Sequence, residues 1–290
     1  MVKNRSLLEA EELLLRALVS ETGSQRSQEI AKELVLIYAQ APKSEAKEKL
    51  LKAFSYCTDI QSSQILAEEL ISVYAQEPKP EKLKSFQRFL RLVDGFKEKG
   101  RDPKSLSVML SQLCRKDKLD LQFQEWFLKK AVELWPENPN ANSQLADILI
   151  ADGRYKAAES YLKKATEFHP KNVILLNKYG WALSNSEKDD EAVAKLGEAR
   201  QIDPRDTHNY YYLGKHYLRR GKANEAEIEF KKGLDIDPTN DHLIVSYANL
   251  LLDKERYDDA AQLLCPAIKD NPKNPYLDSC WKRLQSLQEI

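Results

Sequence analysis

The chain has 290 residues, and its 45 lysines and arginines balance 45 aspartates and glutamates. Hydrophobic residues make up 42% of the sequence, which excludes a disordered chain, and the zero formal charge disfavours a wide nucleic-acid-binding face. No apolar run approaches the ~20 residues that a bilayer requires, and the chain opens on an amphipathic acidic segment instead of a signal-peptide core, so we expect a cytoplasmic protein without a membrane anchor.

The first hundred residues carry a loose internal repeat. Residues 30–43 match residues 66–79 at a shift of 36, with eight identities in fourteen positions. Before them, Ala10, Leu14 and Ala17 have the spacing of the second helix of a repeat whose first helix is missing. A degenerate N-terminal cap and a fragment of a longer solenoid both fit this pattern. We predict degenerate helical repeats over residues 1–104, ending near the helix breakers Gly95, Gly100 and Pro103.

A regular 34-residue period begins after this segment. Prolines recur at that spacing five times, and an asparagine or aspartate stands two places after each proline. Proline cannot continue a helix, and Asn or Asp is a strong N-cap for the next one. The pattern therefore predicts that one helix ends and another begins at Pro136/Asn138, Pro170/Asn172, Pro204/Asp206, Pro238/Asn240 and Pro272/Asn274.

Small and large apolar residues also recur with the same period between these stops. Within a unit they are three or four residues apart, which places them on one helical face. Small residues allow two antiparallel helices to approach closely, and Gly153 and Gly221 fit the tight turns between them. The small columns are Ala146, Gly180, Gly214, Ala248 and Ala158, Ala192, Ala226, Ala260; a large column is Leu145, Tyr179, Leu213, Tyr247.

These columns predict five repeat units over residues 105–274. The first unit is divergent, because Ser111, Gln112 and Arg115 stand where apolar or small residues are expected. Residues 275–290 form an amphipathic segment containing Leu277, Trp281 and Leu284, which we predict to be a C-terminal capping helix.

The best-matching unit, from Thr207 to Pro238, resembles the tetratricopeptide repeat (TPR) family. The family pattern is carried by Tyr210, Leu213, Gly214, Tyr217, Ala226, Phe230 and Gly233. The resemblance implies an all-α, right-handed superhelical solenoid of antiparallel helix pairs. It also implies a concave groove, lined by the first helix of each pair, that holds a peptide or a partner protein.

Enzymatic motifs are missing from the sequence. We find no phosphate-binding glycine loop, no G-x-S-x-G nucleophile motif and no H-E-x-x-H motif, and the four cysteines form no C-x-x-C pair. Carboxylates are plentiful, but they lie in mixed-sign runs typical of a solvated helix surface. We therefore expect neither an enzyme nor a bound cofactor or metal.

The predicted groove is rich in aromatic, amide and basic side chains. Stepping about 100° per residue from the buried stripe of each first helix identifies the adjacent face. Tyrosine, tryptophan and arginine are enriched at binding hot spots. A structural alternative stays open, since the tyrosines could fill the space between repeats and the charges could be ordinary surface. The predicted partner-binding residues are Asn177, Lys178, Trp181, His208, Tyr211, Tyr212, Lys215, Arg219, His242 and Asn249.

The acidic C-terminal tail of a chaperone is a disfavoured partner, because the residues that would bind it are missing from the expected positions. Relatives that bind the acidic C-terminal tail of chaperones use a clamp of lysines, asparagines and an arginine on three successive first helices. The corresponding positions here hold Ser143 and Asp147, then Lys178, then His208 and Tyr212, and the register one repeat later does not match either.

A non-catalytic scaffold or adaptor is the leading functional hypothesis. The alternative is a regulatory or sensor module of a larger protein, which the apparent half-repeat at the start suggests. RNA binding ranks low, because the basic stretches at 97–101 and 115–118 are short and broken by acidic residues. The sequence specifies neither the partner nor the oligomeric state.

Overall fold

The structure, a computed structural model, describes residues 2–21, 25–114 and 119–288. Arg115 and the basic stretch at 115–118 lie outside this part of the chain. The described residues form sixteen α-helices and no strand. They divide into two compact units, Met1–Ile148 and Leu149–Ile290. The sequence analysis places a division after residue 104, where the regular repeats begin, whereas these two units are defined by their compactness. The division after residue 104 stays a prediction.

The first unit contains seven helices and most of an eighth. Their bounds are α1 Val2–Ser20, α2 Gln25–Tyr38, α3 Lys43–Tyr56, α4 Ile60–Ala75, α5 Lys79–Glu98, α6 Pro103–Leu113, α7 Leu121–Leu134 and α8 Pro139–Ala151. Alternate helices α2, α4 and α6 pack side by side, while α3 packs on α4 and α7 on α6. Buried phenylalanines fill the core, with ring centroids 4.9 Å apart for Phe54 and Phe96 and 5.4 Å apart for Phe89 and Phe127.

The second unit continues with eight further helices. They are α9 Tyr155–Phe168, α10 Val173–Asn185, α11 Asp189–Ile202, α12 Thr207–Arg219, α13 Ala223–Ile236, α14 Asp241–Asp253, α15 Tyr257–Asp270 and α16 Pro275–Gln288. The first helices α10, α12, α14 and α16 stack in order, and α11, α13 and α15 each pack on the helix before and after them. Both units are therefore stacks of helix pairs, which confirms the predicted all-α repeat solenoid.

The predicted helix starts are confirmed. Helices α8, α10, α12, α14 and α16 each begin at the residue after the Asn or Asp of the repeat. The side chain of Asn172 accepts a hydrogen bond from the Leu175 amide at 3.2 Å, and Asn240 accepts one from the Leu243 amide at 3.2 Å. These bonds satisfy backbone donors that a helix N-terminus otherwise leaves unpaired.

The small-residue column is also confirmed as the point where paired helices touch. A Cβ atom added to Gly180 on α10 would lie 2.6 Å from the Leu196 Cγ on α11. Ala146 and Ala248, at the same position of their repeats, are fully buried. The close approach of the two helices thus depends on a residue with little or no side chain.

The turns at residues 153, 187, 221 and 255 each contain a left-handed residue at the same repeat position. Gly153 and Gly221 have φ values of 71° and 72°, as their place in the predicted turns requires. The same position holds Glu187 and Glu255, with φ values of 65° and 59°. The turns are nevertheless alike, because in each of them an amide bonds back to the carbonyl five residues earlier, as Arg256 does to Leu251 at 2.9 Å.

The divergent repeat differs from the others in helical register. Helix α6 buries Leu106, Met109, Leu110 and Leu113 together with Ser111, while Gln112 is exposed. Its apolar face is thus centred one residue earlier than a strict 34-residue alignment predicts. Within the described residues, no helix combines the length and the apolar character needed to cross a bilayer.

Candidate partner-binding groove

A groove of about 860 Å³ lies in the second unit, along α12, α14 and the start of α16. Four of the predicted partner-binding residues meet there: Tyr211, Lys215, His242 and Asn249. The full lining is Tyr211, Lys215, Leu218, Asp241, His242, Val245, Ser246, Asn249, Asp253, Asn271, Asn274, Pro275 and Tyr276. The groove is thus built largely from residues at helical spacing on two neighbouring first helices.

Helical periodicity explains why these side chains share one surface. Tyr211, Lys215 and Leu218 are on successive turns of α12, and His242, Ser246 and Asn249 are on successive turns of α14. The opposite faces of both helices are buried in the repeat core. The N-caps before α12 and α14 fix where each helix begins, and therefore which residues reach the groove.

A row of four rings crosses three first helices. The ring centroids of Trp181 and Tyr212 are 6.0 Å apart, those of Tyr212 and Tyr211 5.2 Å, and those of Tyr211 and His242 5.8 Å. Tyr211 and His242 line the groove, whereas Trp181 and Tyr212 extend the row beyond its lining. Burial raises the pKa of Tyr211, so its phenol is neutral and can donate a hydrogen bond.

Several polar groups of the groove are unpaired within the part of the chain that the structure describes. The Lys215 ammonium makes no hydrogen bond or ion pair there, and neither do the Tyr211 hydroxyl, the Ser246 hydroxyl or the His242 imidazole. These groups stand beside aromatic rings on a half-exposed surface. They can supply donors, a positive charge and ring faces to a ligand.

The far side of the groove is held together by internal hydrogen bonds. Asp241 accepts bonds from Asn271 at 2.9 Å and from Asn274 at 2.6 Å. Arg283 of α16 donates to Asn249 at 2.8 Å and pairs with Asp253 at 2.5 Å. The predicted contact Asn249 therefore uses both ends of its amide internally, since its nitrogen also donates to a carbonyl of its own helix.

Asn177 is placed differently from the prediction. Its side chain is 1% exposed, donates to Asp206 at 2.6 Å and accepts from Asn209 at 2.9 Å. It links two successive first helices inside the unit instead of facing the groove. Asn177 lies at the edge of the buried face of α10. An amide side chain can be buried there because both its nitrogen and its oxygen have hydrogen-bond partners. Lys178, beside it, is half-buried and outside the groove lining.

His208 and Arg219 lie away from the groove. His208 is exposed at the start of α12, 3.0 Å from the Asp206 carboxylate, whose hydrogen bond raises the pKa of the imidazole. Arg219, at the end of the same helix, donates to the Ser184 carbonyl at 3.1 Å. It lines a separate polar recess of about 850 Å³ together with His216. The two residues are at opposite ends of a helix whose middle forms the groove.

The sequence analysis missed Asp241, Asn271 and Tyr276. Tyr276 stands 34 residues after His242, so extension of that column into the last helix would have found it. Asp241 and Asn271 stand next to the predicted cap Asn240 and the predicted stop Pro272, and their contribution to the groove depends on how α16 packs. Among the described residues, no group of three or more His, Cys, Asp and Glu side chains could hold a metal ion.

Two family models, both described as tetratricopeptide repeat, match residues 127–177 and 207–240. The chain is a TPR protein. The crystal structure of TTC0263, a TPR protein of Thermus thermophilus, superposes with a TM-score of 0.52 and 22% identity over 66% of this chain and 99% of that one. That likeness shows the fold.

A similar protein of known role is the type IV pilus assembly protein PilF of Pseudomonas aeruginosa. It is 28% identical over 137 residues, which cover 47% of this chain and 54% of that protein. The TPR chain thus spans about half the length of this curated relative. A structure of Pseudomonas aeruginosa pilF covers 70% of this chain and 84% of its own, with 22% identity and a TM-score of 0.45.

Proposed function

We propose that this TPR protein is a non-catalytic scaffold that binds an extended segment of a partner protein in the groove between α12, α14 and α16. The observation that carries the proposal is the presence of an unpaired ammonium, on Lys215, beside the row of rings that includes Tyr211 and His242. Tyrosine is enriched at binding hot spots, and an ammonium forms strong hydrogen bonds to a carboxylate.

The chemistry of the groove suggests the kind of segment it takes. Ring faces at Tyr211, His242 and the exposed Tyr276 offer apolar contact to aliphatic or proline side chains. Lys215 offers a charge for one carboxylate, while Asp241 keeps a negative charge near the other side. A segment with one acidic residue among apolar residues fits this arrangement.

Two further possibilities follow from the same features. The similarity to a pilus assembly protein supports a partner that is itself a component of a larger assembly. A regulatory or sensor module of a larger protein is the alternative role for the same groove. An RNA partner is disfavoured by the balanced charge of the chain. A cytoplasmic location stays a prediction.

The test is selection of peptides that bind the chain, followed by measurement of their affinity for a groove variant. A displayed library of random peptides is panned against the intact protein, and selected peptides are measured by isothermal titration calorimetry. We expect the double variant Tyr211→Ala, Lys215→Ala to weaken binding at least about tenfold, the usual effect of removing hot-spot side chains.

The matched control is Tyr161→Ala, Lys164→Ala on α9. It removes the same two kinds of side chain from a second helix of the same unit that does not line the groove. Equal affinity of the wild type and the groove variant, with circular dichroism showing both folded, would reject this groove as the binding site. A selection that yields no specific peptide from repeated panning would also count against the proposal.

A further inference from the structure

Helix α1 exposes an apolar face that its counterparts elsewhere in the chain keep covered. Leu13 is 67% exposed, and Ala10, Leu14 and Ala17 are each only half-buried. These four residues lie on one side of the helix, three or four positions apart. The other side of α1, with Leu15 and Leu18, is buried against α2 and α3.

The packing of α1 identifies it as the second helix of a repeat. It packs on α2, the following first helix, and on α3, the following second helix. In the same way α15 packs on α16, the first helix that follows it. The exposed face of α1 is therefore the side on which a second helix meets the first helix of its own pair.

The same four residues recur on α15 at the same spacing. Ala10, Leu13, Leu14 and Ala17 correspond, at a shift of 250, to Ala260, Leu263, Leu264 and Ala267. On α15, however, Ala260 and Leu264 are fully buried, and Leu263 packs against the core. One pattern of side chains is thus covered at one place in the chain and uncovered at another.

The helix that covers this pattern on α15 is α14. It contributes Leu243, Ile244, Tyr247, Ala248 and Leu251 to the core that contains Ala260 and Leu264. In the neighbouring pairs, the residue equivalent to Leu14 meets a glycine of the first helix, as Leu196 meets Gly180 and Phe230 meets Gly214. A first helix therefore offers a small residue at the crossing, with large apolar residues on either side of it.

We propose that this face of α1 binds an amphipathic helix presented by a partner protein, with alanine or glycine at the crossing and leucine or tyrosine one turn away. The argument is continuity with the interface inside each repeat: the docking helix would take the place, relative to α1, that α14 takes relative to α15. No described helix of this chain occupies that place. The proposal is independent of the groove in the second unit.

A synthetic helix can probe the face directly. The probe is a fluorescein-labelled peptide of residues 239–254, which is α14 with its N-cap, carrying Asn249→Lys so that a lactam bridge can join the new amine at position 249 to the Asp253 carboxyl with loss of water. Those positions face the groove and leave the apolar side free. The constraint is needed because an isolated helix of this length is marginal in water. Binding to the intact chain is measured by fluorescence anisotropy.

Substitutions at two equally exposed leucines make the test specific. We expect Leu13→Asp to weaken binding by at least about tenfold, since a carboxylate would enter an apolar contact. Leu36→Asp on α2 changes a leucine that is 66% exposed and should leave the affinity within about twofold of wild type. A probe with Ala248→Arg, which is bulky at the crossing, should not bind.

Three results would overturn the proposal. The first is absence of binding at millimolar concentration of the protein. The second is equal binding by Leu13→Asp and wild type, because the probe would then sit elsewhere, for example in place of α14 itself. The third is a dimer in analytical ultracentrifugation that Leu13→Asp dissociates, because the face would then be occupied by a second copy.

Discussion

Gly214 on α12 lies against the ring of Phe230 on α13, so closely that a Cβ atom on Gly214 would overlap the ring. Gly180 and Leu196 repeat this relationship one unit earlier. The distance between paired helices is therefore set by one residue without a side chain facing one large apolar residue. The depth of the groove depends on this packing, because it holds α12 in place from behind.

Gly214→Ala should therefore destabilise the protein. Overpacking a well-packed core lowers the free energy of unfolding by typically 1–3 kcal/mol. The higher helix propensity of alanine offsets about 1 kcal/mol of this loss. We expect the free energy of unfolding to fall by up to about 2 kcal/mol, measured by urea denaturation followed by circular dichroism.

Gly197→Ala on α11 is the control for helix propensity. A Cβ atom at Gly197 would meet nothing within 4 Å. This substitution should raise the free energy of unfolding by about 0.5–1 kcal/mol. If both variants were stabilised alike, the contact between Gly214 and Phe230 would not control the helix spacing.

The start of each regular helix could be predicted from the sequence because a proline stop and an Asn or Asp cap act locally. The contacts of Gly180 and Gly214 could be predicted because a repeat places equivalent residues in equivalent pairs. The register of α6 could not, since Leu110 takes the large apolar position that a strict 34-residue period gives to Ser111, and Ser111 is buried beside it.

The groove was predictable only in part. Tyr211, Lys215 and His242 follow from helical periodicity on two adjacent helices. The enclosure of Asn177 depends on its bonds to Asp206 and to another asparagine in the next repeat, and no single-helix pattern reveals such partners. A polar side chain at the edge of the buried face of a helix turns either into the core or towards the groove, depending on which hydrogen-bond partners its neighbours offer.

Asn177→Ala should reduce stability rather than directly remove a ligand contact. The substitution removes one donor, at 2.6 Å, from the Asp206 carboxylate and one acceptor, at 2.9 Å, from the Asn209 amide, while the bonds of these groups to His208 and to the Leu196 carbonyl stay in place. A buried polar group that loses its partner costs about 1–3 kcal/mol, and we expect a loss of that size in urea denaturation. Asn224→Ala, at an exposed amide bonded to Lys254, should change stability by less than about 0.5 kcal/mol. Equal stability of the two variants would contradict the bridging role of Asn177.

Glu255→Gly should stabilise the last repeat. Glu255 has a φ of 59°, a left-handed conformation that costs about 1–2 kcal/mol for a residue with a Cβ atom. Glycine removes this cost but loses more backbone entropy on folding, so we expect a net gain of about 0.5–1 kcal/mol. The reciprocal change, Gly221→Ala at a φ of 72°, should lower stability by about 1 kcal/mol. A rise in the midpoint of thermal unfolding for the first variant and a fall for the second would support this account, and changes of the same sign would refute it.

Stability should fall between about pH 7 and pH 5 because of His216. This imidazole is 3% exposed and lies 2.9 Å from the Ser184 hydroxyl. Burial lowers its pKa, and nearby Arg220, Lys222 and Arg219 lower it further against the opposing charge of Asp189. The unfolded chain, with a histidine pKa of about 6.5, therefore takes up a proton that the folded chain resists. The stability due to neutral His216 is present above that pH and is lost as the pH falls, with a slope of at most about 1.4 kcal/mol per pH unit.

Two histidine variants separate this effect from the others. His216→Gln should flatten the dependence of the unfolding free energy on pH in that range. His208→Gln should steepen it, because the bond to Asp206 raises the pKa of His208 and makes its protonated form stabilising at low pH. Urea denaturation at several pH values measures both, and a His216→Gln slope equal to that of the wild type would assign the acid sensitivity to another group.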